Sequence, residues 1–103
     1  MAGPLLIFIS YARQDARDLA LRLSEDLKKA GHRVWIDTAD LEGGASWSNE
    51  IQGAIESCNV ALALLSAGSY TSPICQAEHQ FALDLGKRLI PVLAQAQVRR
   101  PLE

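Results

Sequence analysis

The sequence predicts an α/β domain in which a parallel sheet is covered by helices on both faces, and two observations lead there. Four β-rich or continuously apolar runs, at 5–10, 33–37, 59–66 and 88–94, alternate with three amphipathic helical stretches in a βαβαβαβ order. The strand runs are uninterrupted rather than alternating, the pattern of strands buried on both faces. With 103 residues, 49% of them hydrophobic, the whole of 1–103 is expected to form one domain around one core.

The elements follow in order. After LLIFIS, the first helix carries a stripe of Ala16, Leu19, Leu23, Leu27 and Ala30, with Arg17, Arg22, Glu25, Lys28 and Lys29 largely outside it. Gly31 ends it as a C′ residue. The strand RVWID leads into the acidic, glycine-containing segment DTADLEGGAS, long enough to serve as a lid or docking surface. Ser46 is a candidate N-cap for the second helix, in which Trp47, Ile51, Ala54, Ile55 and Cys58 share one face. After NVALALLS, residues 66–72 read as a connection. The third helix takes Ser72 as N-cap and Pro73 as its first residue, and runs to Gly86. Pro91 removes a ladder donor from the last strand and marks it as an edge or bulged strand. AQAQVRRPLE, after Leu93, carries no further strand or helix, so the domain is expected to be incomplete at its C-terminus and part of a longer protein.

Several function classes fall away. A formal charge of −2 with interspersed acids and bases offers neither a nucleic-acid stripe nor a polybasic membrane patch. LLIFI and VALALL are too short to span a bilayer, and a cytoplasmic location is expected. Cys58 and Cys75 sit at helical apolar positions, as reduced buried thiols would, and with His32 and His79 they make no metal-ligand spacing. There is no GxGxxG and no GxxxxGK[ST]. A phosphoacceptor receiver would need acids where Ser10-Tyr11 and Ser66 stand, and His32 and His79, both expected on the surface, leave no Ser-His-Asp arrangement.

In an open parallel sheet, ligands bind beyond the carboxyl ends of the strands, where strand order reverses. The residues leaving those ends are 10–13, 37–44 and 66–72, and Glu78, early in the third helix, comes close to the same rim. At roughly 100° per residue, with Ile74 as zero, Glu78 falls near 40°, inside a stripe made with Phe81, Ala82 and Leu85; Gln76, His79, Gln80 and Leu83 turn toward solvent. A carboxylate on that face must be paired, neutral or open to a cleft, because burying it bare costs several kcal/mol. A salt bridge to Arg13 or Lys87, backbone N–H donors and a ligand cleft are all open readings.

FISYARQD at 8–15, VWIDTADLEGG at 34–44, SCNVALALLS at 57–66, CQAEHQFAL at 75–83 and GKRLIPVL at 86–93 together resemble, in order and spacing, a TIR (Toll/interleukin-1 receptor) domain, in a style most similar to bacterial members. The resemblance spans nearly the whole chain. It implies a flavodoxin-like sheet in the order 2-1-3-4, with a fifth strand and last helix missing from this chain. It also implies one of two functions. Some members are non-catalytic scaffolds that bind other TIR domains through the loop after the second strand, here with Asp40, Gly43, Gly44 and Ser46. Others cleave NAD+ to nicotinamide and linear or cyclic ADP-ribose, as self-associating effectors of immune defence, using a glutamate within a pattern resembling W/x-C-x-x-E that Cys75 and Glu78 match.

On the second function, the resemblance makes Glu78 catalytic, with Tyr11, Arg13, Asp37, Leu41, Glu42, Trp47, Ile74 and Cys75 around the substrate. Ile74 stands where active relatives often carry Trp. Trp47 would stack on a nucleotide ring or pack the core, and Tyr11 would line the cleft or brace the sheet end. NAD+ would be substrate rather than cofactor, and no metal is implied.

Overall fold

The computed structural model of the protein describes residues 3–36 and 49–94. Asp37, Asp40, Leu41, Glu42, Gly43, Gly44, Ser46 and Trp47 lie outside the described residues, as does everything expected of them. β1 (Leu6–Ser10), β2 (Arg33–Ile36), β3 (Val60–Leu65) and β4 (Arg88–Leu93) form a parallel sheet in the order β2-β1-β3-β4. β1 is held on both edges: Ile7 is in register with Val34 of β2 and Val60 of β3, and Ser10 with Ala63. Pro91 lies in β4, an edge strand among the described residues, where a missing ladder donor is tolerated.

The alternation of side chains along β1 sorts the core into two layers. Phe8 points to a cluster with Ile51, Ala54, Ile55, Cys58, Ala61 and Ala82, built by α2 (Asn49–Ser57) and α4 (Pro73–Asp84). Its ring stacks on Trp35 with centroids 5.1 Å apart. Ile7 and Ile9 point the other way, to a cluster with Tyr11, Ala16, Ala20 and Leu64, covered by α1 (Arg13–Lys29). The chain therefore leaves β1 in one direction to reach β2 and adds β3 and β4 in the other. The strand order reverses at β1, and the crevice between the carboxyl ends of β1 and β3 is the switch point of the sheet.

Local chemistry sets the element boundaries. Gly31 and Gly86, with φ of +96° and +74°, end α1 and the turn after α4 in the left-handed region that glycine enters without a Cβ penalty. Ser72 caps α4, its hydroxyl accepting from the Cys75 N–H at 3.2 Å, with Pro73 in the first turn.

Three expectations are corrected. Residues 66–72 are not merely a connection: α3 (Ala67–Thr71) is a short helix closed by a reciprocal capping box between Ser66 and Ser69. A single turn has no apolar periodicity to read, and its box uses Ser where Glu or Gln is usual. Leu85 belongs to no buried stripe and is 43% exposed, and Ala30, the C-cap of α1, is exposed as well. The buried residues of α4 are Cys75, Glu78 and Ala82, which centre near roughly 75° on the scale used above, so the helix is rolled about 50° from the centre of the expected stripe of Ile74, Glu78, Phe81, Ala82 and Leu85.

A buried carboxylate at the switch point

Ser10 ends β1 with the same orientation as Phe8, facing α4, and is 2% exposed. Ser72 and Pro73 start α4 close to that rim, so its second turn brings Glu78 over Ser10. Glu78 is 6% exposed, and the Ser10 hydroxyl donates to its Oε1 at 2.7 Å. Nε2 of His79 lies 3.1 Å from the same Ser10 oxygen.

His79 corrects a further expectation. It does not face solvent but is half-buried, and burial lowers its pKa below the ordinary value of 6.5. The roll of α4 that exposes Leu85 carries His79 inward. His32 is also half-buried rather than on the surface, with Nδ1 accepting the Leu5 N–H at 3.1 Å. Lys87, a candidate partner for Glu78, instead donates to the Glu56 carbonyl at 2.7 Å, at the far end of α4.

Cys75 lies one turn before Glu78 on the same face, 1% exposed. Its thiol is pushed up chiefly by burial, with the charges of Glu78 and Asp15 adding to the effect against hydrogen bonds involving Ser72 and Ser10. A thiol held protonated in this way is a wall of the site rather than a nucleophile. Cys58, also free, is raised mainly by burial.

On the β3 side of the crevice, both oxygens of Asp15, in the first turn of α1, are engaged. Oδ1 accepts from the Ser66 hydroxyl at 2.6 Å and Oδ2 from the Gly68 N–H at 2.7 Å. The approach of α3 to α1 is close enough that a Cβ on Gly68 would stand 3.0 Å from that of Ala12.

Of the residues expected around a substrate, Glu78 and Cys75 share one face of α4, and Ile74, half-buried, packs against the α2 layer. Arg13 opens α1, half-buried. Tyr11 packs into the α1-side core, on the opposite sheet face from Ser10. Ser10 and His79 were not among the expected site residues. Ser10 had a legible signal, the two-residue alternation from Phe8, while His79 had none short of the true roll of α4. Among the described residues no group of His, Cys, Asp or Glu side chains is arranged to hold a metal ion, and no helix is long and apolar enough to cross a membrane.

The family profile of the TIR domain matches residues 7–103. The chain belongs to the TIR domain family. A probable 2' cyclic ADP-D-ribose synthase, BdTIR of Brachypodium distachyon, is 30% identical to this TIR domain over 87 residues, 84% of the chain. The chain spans 39% of the length of that relative. Among solved structures, the TIR domain of the Toll-related receptor TRR-2 of Hydra magnipapillata superposes with a TM-score of 0.75 at 24% identity, covering 93% of this chain and 75% of its own. The TIR domains of the activated Roq1 resistosome, which directly recognizes the pathogen effector XopQ, give a TM-score of 0.71 at 25% identity, covering 89% of this chain and 56% of theirs.

Proposed function

We propose that this TIR domain is an NAD+-cleaving module, releasing nicotinamide and linear or cyclic ADP-ribose, within a self-associating effector of bacterial defence or signalling. The observation that carries the reading is Glu78: a carboxylate 6% exposed at the switch point of a parallel sheet, anchored by a serine from the central strand. The synthase name of the Brachypodium distachyon relative supports the reaction class, and FISY at 8–11, followed directly by a polar first helix, supports the bacterial setting.

One carboxylate suffices for this chemistry. The bond from ribose C1 to the pyridinium nitrogen breaks, and nicotinamide leaves with the electron pair as a neutral molecule, so no acid has to protonate it. The sugar left behind is oxocarbenium-like. An ionised Glu78 stabilises that charge and orients the ribose hydroxyls, as glycosidase carboxylates do. Water, or a hydroxyl of ADP-ribose itself, then adds at C1 and gives up its proton to the surrounding water. Arg13, Ile74 and Cys75 would bound the pocket, with Tyr11 bracing or lining the sheet end. Asp37, Leu41, Glu42 and Trp47 would close it, with Trp47 stacking on a nucleotide ring. Asp40, Gly43, Gly44 and Ser46 would carry homotypic docking, in keeping with the TIR domains of the Roq1 assembly. The protein would act in the cytoplasm on NAD+ as substrate, with no resident cofactor.

A second reading, a non-catalytic TIR–TIR scaffold, draws on the exposed apolar side chains Leu83, Leu85, Ile90 and Leu93. Nicotinamide release by the full-length protein under assembling conditions separates the two. With Glu78→Gln, turnover should fall by about a hundredfold or more, the scale of a lost transition-state charge contact, while assembly is retained. Equal rates would leave the scaffold reading standing.

A further inference from the structure

Resting on the reading of Glu78 as the acting carboxylate, we propose that Ser10 and His79 are its positioning residues, a two-link hydrogen-bond chain that holds Oε1 at the rim as an ionised acceptor. The geometry is specific. Ser10 Oγ lies 2.7 Å from Glu78 Oε1 and 3.1 Å from His79 Nε2. A hydroxyl has one proton to give and lone pairs with which to accept. An ionised carboxylate only accepts, so the Ser10 proton points to Glu78, and the ring nitrogen facing Ser10 must be the donor. Burial disfavours the imidazolium form of His79. The ring is therefore neutral, with its proton on Nε2.

The polarity of this chain depends on the charge of Glu78. Were the carboxyl protonated and donating to Ser10, the serine would turn its own proton toward Nε2, and the ring proton would sit on Nδ1. The tautomer of His79 thus reports the state of Glu78. Ser10 is well placed to hold the carboxylate, since β1 is laddered to strands on both sides and the serine is 2% exposed.

The full-length protein and its Ser10→Ala, His79→Leu, His79→Gln and Glu78→Gln variants provide the test. Ser10→Ala should lower kcat about 10- to 100-fold with KM little changed, the scale of one hydrogen bond to a charged group. His79→Leu should lower kcat less. His79→Gln, whose amide presents an N–H near the Nε2 position, should restore most of the loss, a rescue that a merely space-filling role would not give. Should Ser10→Ala fail to fold, the His79→Leu and His79→Gln pair decides. Wild-type kcat in Ser10→Ala and His79→Leu, with turnover lost in Glu78→Gln, overturns the positioning chain and leaves the reading of Glu78 intact. Wild-type turnover in Glu78→Gln removes that reading itself. Independently of turnover, 15N NMR of the imidazole should show the neutral Nε2–H tautomer in the wild-type protein, and an Nδ1–H tautomer there would overturn the proposal.

Discussion

Asp15 and Glu78 stand on opposite sides of one crevice and are bound in a crossed pattern. Asp15, in the helix that follows β1, accepts from Ser66 at the end of β3, while Glu78, in a helix that follows β3, accepts from Ser10 at the end of β1. The two bonds are nearly equal in length, 2.6 and 2.7 Å. What surrounds them differs. Both oxygens of Asp15 are taken by groups of the α3 turn, and Ser66 is itself closed by its capping box with Ser69. Its donors are fixed parts of the fold, so Asp15 fastens α3 to α1. Glu78 is held by a side chain that leads onward to a titratable ring. The same serine–carboxylate bond is thus a fastening on one side of the switch point and, under the proposed function, a means of aiming a charge on the other.

Breaking the fastening should have the larger effect on stability. Asp15→Ala leaves the Ser66 hydroxyl and the Gly68 N–H without their acceptor. Because Asp15 is only half-buried and water can replace part of the loss, about 1–3 kcal/mol is expected from urea denaturation. Gly68→Ala tests the same contact sterically. Its methyl would meet Gln14 Nε2 at 2.8 Å, and Ala12 Cβ and Asp15 Oδ1 at 3.0 Å. The glutamine can swing aside but Ala12 cannot, so a destabilisation of about 1 kcal/mol is expected in the same assay.

The smallest effect belongs to the other side. His79 has its pKa lowered by burial from an ordinary 6.5. Between the lowered value and 6.5 the unfolded chain binds more protons than the folded one, so stability rises with pH across that window and is lost on acidification through it. Melting temperatures of the wild type and His79→Gln should therefore diverge below about pH 6.5, with the wild type falling faster. Parallel curves would mean that the ring is not held neutral.

Much of this arrangement is legible in the sequence, and the reasons for the gaps are physical. Continuous apolar strands and the caps at Ser72, Gly31 and Gly86 give the layers and element ends, because burial on both faces and positive φ leave plain marks on residue choice. The burial of Glu78 is readable from helical periodicity. The roll of α4 is not, since Ile74, Phe81 and Leu85 suggest a stripe centre from which the packing departs: Ile74 and Phe81 lie half-buried at the edge of the core, Leu85 is exposed, and His79 turns inward from the solvent side on which helical periodicity puts it. α3 leaves no such mark, because a five-residue turn carries no period. The Asp15–Ser66 contact joins residues 51 positions apart, and no local pattern encodes it.

The measurement that bears most directly on the contrast is nicotinamide release per folded molecule, for Glu78→Gln beside Asp15→Ala, in the full-length protein under assembling conditions. Glu78→Gln should lose turnover while keeping the wild-type melting temperature, and Asp15→Ala should lose melting temperature while each folded molecule turns over at the wild-type rate. Undiminished release from Glu78→Gln would contradict the account, leaving both acids as fastenings of the fold.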